Sequence, residues 1–265
     1  MYRKRLLGLL SLILLLGCKV SEQAPNIAIK HLPAIMLWAW EMPEDLRFLD
    51  TTKAGVAFLA EEILIRGQAI HFRRRAQPLL LAPGTKTIPV IRIETNGDPV
   101  VLPNGEVDQG APLDSASYIE AAENISNLAR SLQADCIQID YDARLSERGW
   151  YHQLLDQLRK ALPPRTKISI TALASWCIEG KWLDCLPVDE AVPMLFQMGI
   201  AEHEVTQFLQ SGRSLRSAKA AGLAGISVDE APRAIPRHER LYMFNPRPWT
   251  KQAFEEVIGK YGTSN

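Results

Sequence analysis

Two acids stand one residue apart in the stretch CIQIDYDA, Cys136 to Ala143. The rest of that stretch has the composition of a buried strand. Side chains in a strand alternate between faces, so Cys136, Gln138, Asp140 and Asp142 share one side, and Ile137, Ile139 and Tyr141 the other. Burying unpaired carboxylates is costly, so the pair faces either water in a pocket or a partner. Two neighbouring carboxylates raise the pKa of one of them, which is what a proton donor needs. The chemistry to expect from Asp140 and Asp142 is therefore acid–base, with one of the two holding a proton.

Other apolar runs also turn polar near one end. Ile88 and Val90 are followed on the same face by Arg92 and Glu94. A sixth run ends at Gln197, a seventh at Asp229 and Glu230, and an eighth at Asn245. The second contains Glu61 and Glu62, and the first ends at Glu41. Alternation allows only one of Asp229 and Glu230 to face the same way as the pair. Arg92 opposes the rise in the acids' pKa.

Elements must exist to bring these positions together. Strand candidates cover residues 34–41, 55–65, 87–94, 135–142, 167–175, 191–198, 225–230 and 241–245. Amphipathic helical patterns lie between them. DSASYIEAAENISNLARSLQ aligns Tyr118, Ala122, Ile125, Leu128, Ala129 and Leu132. SERGWYHQLLDQLRKALPP aligns Tyr151, Leu154, Leu155, Leu158 and Leu162, from a Ser146 cap to a stop at Pro163-Pro164. Eight strands with interleaved helices predict a (β/α)8 TIM-like barrel over residues 33–262, whose C-terminal mouth gathers the polar strand ends. The second β/α unit is irregular, because RGQAIHFRRRAQPLLLAP has no helical stripe and reads as an extended excursion or a hairpin. A doubly wound open sheet is the other arrangement to weigh, but no Gly-rich fingerprint follows the first strand.

Composition bounds the partners. The 265 residues carry 30 basic and 30 acidic side chains, which gives no reason to expect nucleic acid. The run Arg73 to Arg75 reads as a solvated edge. Residues 1–17 read as a lipoprotein signal peptide: Arg3, Lys4 and Arg5 precede an apolar run, Leu6 to Leu16, too short to span a membrane. It ends in LLGC, resembling a lipobox with Cys18 as the acceptor. Residues 18–32 would tether the domain to the membrane. Lys19 after the cysteine points to the periplasmic face of the outer membrane. In that compartment Cys177 and Cys185 can pair across a short loop, while Cys136 reads as core. No Cys/His spacing suggests a metal, no cofactor is expected, and the chain is expected to act as a monomer.

The strand ends also carry a resemblance. DCIQIDYD resembles the D-G-x-D-x-D-W-E signature on the fourth strand of family 18 glycoside hydrolases, the chitinase-like barrels. MLFQ, Met194 to Gln197, resembles their M-x-Y-D. From IMLWAWE through IQIDYDA to LYMFNPRPW, the chain resembles a bacterial family, domain of unknown function 3142. The first resemblance implies glycoside-hydrolase-like action on a carbohydrate. It places Asp142 at the acid and Asp140 two residues before it, with Gln138 where the family has another aspartate. Phe196 and Gln197 replace its Tyr-Asp. Barrel glycosidases also pair carboxylates across the mouth, a role open to Asp142 with Asp229 or Glu230. Arg92, Glu94, Gln138, Gln197 and Asn245 would then bind substrate hydroxyls, and Trp38, Trp40 and Trp176 would stack on sugar rings. The substitutions also allow a non-catalytic carbohydrate-binding or scaffold lipoprotein on the same barrel.

Overall fold

A computed structural model describes residues 27–30, 32–66, 69–95, 100–101, 107–108 and 113–262. Eight parallel strands run in chain order: β1 Ile35–Ala39, β2 Ala54–Arg66, β3 Thr87–Thr95, β4 Cys136–Asp140, β5 Lys167–Leu173, β6 Glu190–Met194, β7 Gly222–Ser227 and β8 His238–Phe244. Each pairs with its sequence neighbour, and β1 pairs with both β2 and β8, so the sheet closes. This is a TIM-like barrel.

The helical layer is incomplete. Helices follow β3 (α1, Ser115–Ser131), β4 (α2, Arg148–Ala161), β5 (α3, Ala174–Glu179, and α4, Lys181–Cys185), β6 (α5, Glu202–Gln210) and β8 (α6, Lys251–Tyr261). Among the described residues none follows β1, β2 or β7. In the irregular second unit, β2 runs on into an antiparallel hairpin with Ala69–Arg74. The chain then returns as Leu79–Leu81, which pairs in parallel with Glu44–Leu46. The arginine run lies on this hairpin and is not merely solvated. Arg73 bonds to Glu41 and Glu62, Arg74 lies 3.5 Å from Glu61, and Arg75 donates to the carbonyls of Trp40 and Met42. Arg73 and Arg75 fasten the loop after β1 to the hairpin, and Arg74 stays within the hairpin.

Burial explains the strand sequences. Ile137, Ile139 and Tyr141 pack outward under α1 and α2, whose buried stripes are Ala121, Ala122, Ile125, Leu128 and Ala129, and Trp150, Tyr151, Leu154, Leu155 and Leu158. Asp114 caps α1 by accepting from Ser117 N–H, which satisfies an N–H that the helix start leaves unpaired. The second helix begins at Arg148, after a 3-10 turn at Leu145–Glu147, rather than at a Ser146 cap. Inside the barrel, Met36, Trp38, Ala57, Ile88, Val90, Cys136, Val192, Phe196, Leu223 and Tyr242 form one cluster. Gly225 leaves room for the Trp38 ring, because a Cβ there would lie 2.9 Å from Trp38 Cη2. Near the strand starts Glu190 is buried, and its charge is matched: Arg240 donates to it at 3.1 Å and Tyr242 at 2.6 Å. Arg240 also donates to the carbonyls of Pro33 and Ile29, so the segment Ile27–Lys30, inside the expected tether, is held on the barrel.

Candidate active site at the barrel mouth

Gln138 forms the floor of the mouth. Its Oε1 accepts from Trp38 Nε1 at 2.8 Å, and its Nε2 donates to Ser169 Oγ at 3.0 Å. Those bonds tie β1, β4 and β5 together inside the barrel. One step up β4, Asp140 points the same way, and its Oδ1 accepts from Thr171 Oγ1 at 2.6 Å. Asp140 is partly buried, and Asp142, beyond the strand end, is exposed. On the neighbouring β3, Arg92 is in register with Asp140, pairs with Glu94 at 2.6 Å and lies 5.6 Å from the centroid of the Trp40 ring.

These groups line a cavity of about 260 Å³, walled by Arg92, Glu94, Asp140, Asp142, Arg144 and Glu147 among others. Burial pushes the Asp140 carboxyl up to about 6, and the charges of Asp142 and Glu94 push the same way. The hydrogen bond from Thr171 and the charge of Arg92 act against it. Asp142 is also raised, chiefly because the mouth walls strip solvent from it, and Arg92 opposes that rise too. Asp140 can therefore hold a proton close to neutral pH.

Across the mouth the wall is aromatic. Phe196 and Phe244 stack with centroids 5.5 Å apart, and Trp40 meets Phe244 edge-on at 6.4 Å. Trp40 and Phe244 are only partly buried. The rim is thus charged and hydrogen-bonding at β3 to β5, where the cavity lies, and aromatic at the ends of β1, β6 and β8, with Trp40 against Arg92 where the two sides meet. That arrangement fits a ligand with polar edges and apolar faces.

Several expected binders are not available to such a ligand. Gln138 is fully buried with both ends of its amide engaged, and Trp38 is buried beneath the mouth. Trp176 belongs to the outer layer, edge-on to Trp182 with centroids 4.8 Å apart. On β6 the inward position falls to Phe196. Gln197 sits in a left-handed turn at φ 51°, exposed, and its N–H donates to the Glu230 carboxylate at 3.0 and 3.1 Å. Glu230 is therefore a loop brace. On β8 Phe244 takes the inward place, while Asn245 is buried and its Oδ1 accepts from Arg247 N–H at 3.1 Å. Asp229 is exposed and bonded to the Ser227 hydroxyl. Strand β7 ends before both acids, so alternation does not choose between them. The expected bridge between Cys177 and Cys185 is not formed. Cys177 is a free thiol buried on the core face of α3, directed at the Leu173 carbonyl.

Thr171, Phe244, Arg144 and Glu147 were not expected at the site. For Thr171 the signal was there, since Ser169 and Thr171 are hydroxyls spaced by two in the apolar strand KISITAL. Phe244 carried the signal that β8 turns an aromatic inward where a polar end was read. Cys18 lies outside the described residues.

No family model matches the chain, and no curated protein does. Among solved structures, the chain is similar to "putative Chitinase A from Streptomyces coelicolor", with a TM-score of 0.51 and 11% identity over 86% of this chain and 94% of that one. It is also similar to the spore cortex-lytic enzyme SleL of Bacillus cereus, with a TM-score of 0.42 and 14% identity over 74% of this chain and 51% of that one. At such identities the first likeness shows a shared barrel fold.

The raised carboxyl has a thermodynamic consequence. Folded, Asp140 holds its proton up to about pH 6; its ordinary value is 3.8. The native state thus binds the extra proton, and stability falls as pH rises between those values, by about 3 kcal/mol in all. Asp140→Asn should remove that component. Its stability relative to wild type, from urea unfolding, should rise between about pH 4 and pH 7; parallel curves for the two proteins would refute the shift.

Proposed function

We propose that this protein is a glycoside-hydrolase-like lipoprotein of the cell envelope, acting on a carbohydrate by carboxylate acid–base chemistry at the barrel mouth. The observation that carries the reading is the pair Asp140 and Asp142, set at the end of β4, raised by burial and facing an open cavity. A sugar ring has polar edges and apolar faces, which suits a charged wall on one side and the partly exposed rings of Trp40 and Phe244 on the other. The barrel it shares with a chitinase-named structure agrees with that substrate class, though fold alone does not fix function.

In this reading Asp142, the more open of the two, gives its proton to the leaving glycosidic oxygen as the bond to the anomeric carbon breaks, and water bonds to that carbon in its place, losing its proton to a second carboxylate. Asp140, fixed by Thr171, stands beside Asp142 as the partner carboxyl. Arg92 and Glu94 bind hydroxyl groups at the cavity edge. Asp229 and Glu230 are the candidates for a second carboxylate; the first is bonded to the Ser227 hydroxyl and the second to the backbone N–H of Gln197. Lipid on Cys18 would keep the barrel at the membrane, on the periplasmic face of the outer membrane. Labelling of cells with a fatty-acid analogue should mark wild type and not Cys18→Ser; equal labelling would remove the anchor.

A second reading has its own observation. Where the chitinase-like signature has Tyr-Asp on the sixth strand, this chain buries Phe196 in an aromatic stack and turns Gln197 outward. A barrel with those changes would bind a glycan without cleaving it. Purified protein assayed on a panel of chromogenic glycosides and a glycan array separates the two. On a substrate so found, Asp142→Asn should lower kcat by about 10²–10⁴-fold with an unchanged melting temperature. Trp40→Ala should chiefly raise KM. Glycan binding without turnover would favour the binding reading, and full activity in Asp142→Asn would exclude it as the acid.

A further inference from the structure

The end of the barrel opposite the mouth has a different electrostatic character. Lys30 lies just before β1, Lys86 just before β3, Arg165 just before β5 and Arg237 just before β8, and all four side chains are exposed. In a parallel barrel these positions share one end. Among the described residues, none of the four forms an ion pair. Other acids at this end have cationic partners. Asp50 lies 3.4 Å from Lys53, and Asp189 holds Arg159 at 2.6 Å and Lys167 at 3.7 Å. Asp135 and Glu239 are exposed there as well, which leaves a net positive surface. At the mouth the balance differs, because Arg73 and Arg92 are taken up by Glu41, Glu62 and Glu94.

The same end receives the chain. Ile29 is buried against it, its carbonyl accepts from Arg240, and Leu32 packs against the interior cluster. Twenty-six residues precede Ile27, including the apolar run Leu6 to Leu16. Cys18 stands nine residues before Ile27, a span of at most about 30 Å when fully extended. An attachment there would keep this end within that distance of the bilayer. Two independent features, the unpaired cations and the point of chain entry, thus favour one orientation.

We propose that the end of the barrel bearing Lys30, Lys86, Arg165 and Arg237 is an interaction surface for an anionic phospholipid membrane, so that the mouth opens on the far side. A juxtamembrane Lys or Arg strengthens binding to such a surface by about fivefold, and the effect fades within a Debye length. The orientation does not depend on what the mouth does.

Flotation of the full-length protein tests it, with vesicles of phosphatidylcholine alone and of phosphatidylcholine containing about one-third phosphatidylglycerol. Wild type should partition more strongly onto the anionic vesicles. The triple variant Lys86→Gln, Arg165→Gln, Arg237→Gln should lose about 100-fold of that preference, with binding to phosphatidylcholine alone unchanged. A control on the opposite rim, Arg144→Gln, Arg233→Gln, Arg247→Gln, should keep it. An undiminished preference in the first variant, or an equal loss in the second, overturns the proposal. Soluble inorganic polyphosphate competing as well as the anionic vesicles at matched charge would overturn the lipid as the partner.

Discussion

The double hydrogen bond of Gln138 is the constraint on which the site depends. An amide buried at the centre of a barrel must satisfy both ends or destabilise the fold. Here Trp38 does so from β1, across the barrel, and Ser169 from the neighbouring β5. The indole has to lie across the interior to reach Gln138, and it can because Gly225 has no side chain. This uncharged, fully bonded layer fills the barrel below the mouth, and it fixes β4 so that Asp140 emerges one step higher, within reach of Thr171. A charge in place of Gln138 would need a partner that the apolar layer below does not supply.

Above that floor the two walls differ because neighbouring strands spend their inward positions differently. Strands β3, β4 and β5 contribute Arg92, Asp140 and Thr171, so their side of the mouth is a hydrogen-bonded network of mixed charge. The chain just past β1 and β6 and the last residue of β8 contribute Trp40, Phe196 and Phe244. Burial raises the carboxyl pKa of Asp140, while Thr171 and Arg92 limit the rise. The result is a carboxyl that changes charge close to neutral pH. A purely structural ion pair would instead depress the carboxyl below its ordinary range.

Much of this was legible in the chain. Period-two alternation in CIQIDYDA correctly separated the face that meets α1 and α2 from the face inside the barrel, and the alternation of strands and helices gave the fold class. What misled was reading polarity at a strand end as direction. Gln197, Glu230 and Asn245 lie just past the last paired residue, where a left-handed turn or a side-chain bond to the backbone sets direction and alternation no longer applies. Tryptophans near strand ends were equally ambiguous. Trp38 and Trp40 differ by one step inward, and that step decides between a buried donor and a partly open ring. Trp176 is an outer-layer residue because α3 starts at once after β5 and turns it toward Trp182. The disulfide failed for the same reason, since α3 directs Cys177 into the core.

The claim at the centre of this account is that the mouth holds a carboxyl poised near neutrality. Carboxyl-carbon NMR, with Asp140 assigned by comparison with Asp140→Asn, measures it directly. The structure predicts that the Asp140 resonance titrates with an apparent midpoint of about 6, and that this midpoint falls in Asp142→Asn as the neighbouring charge is removed. A midpoint at or below the ordinary aspartate value, unchanged by Asp142→Asn, would contradict it.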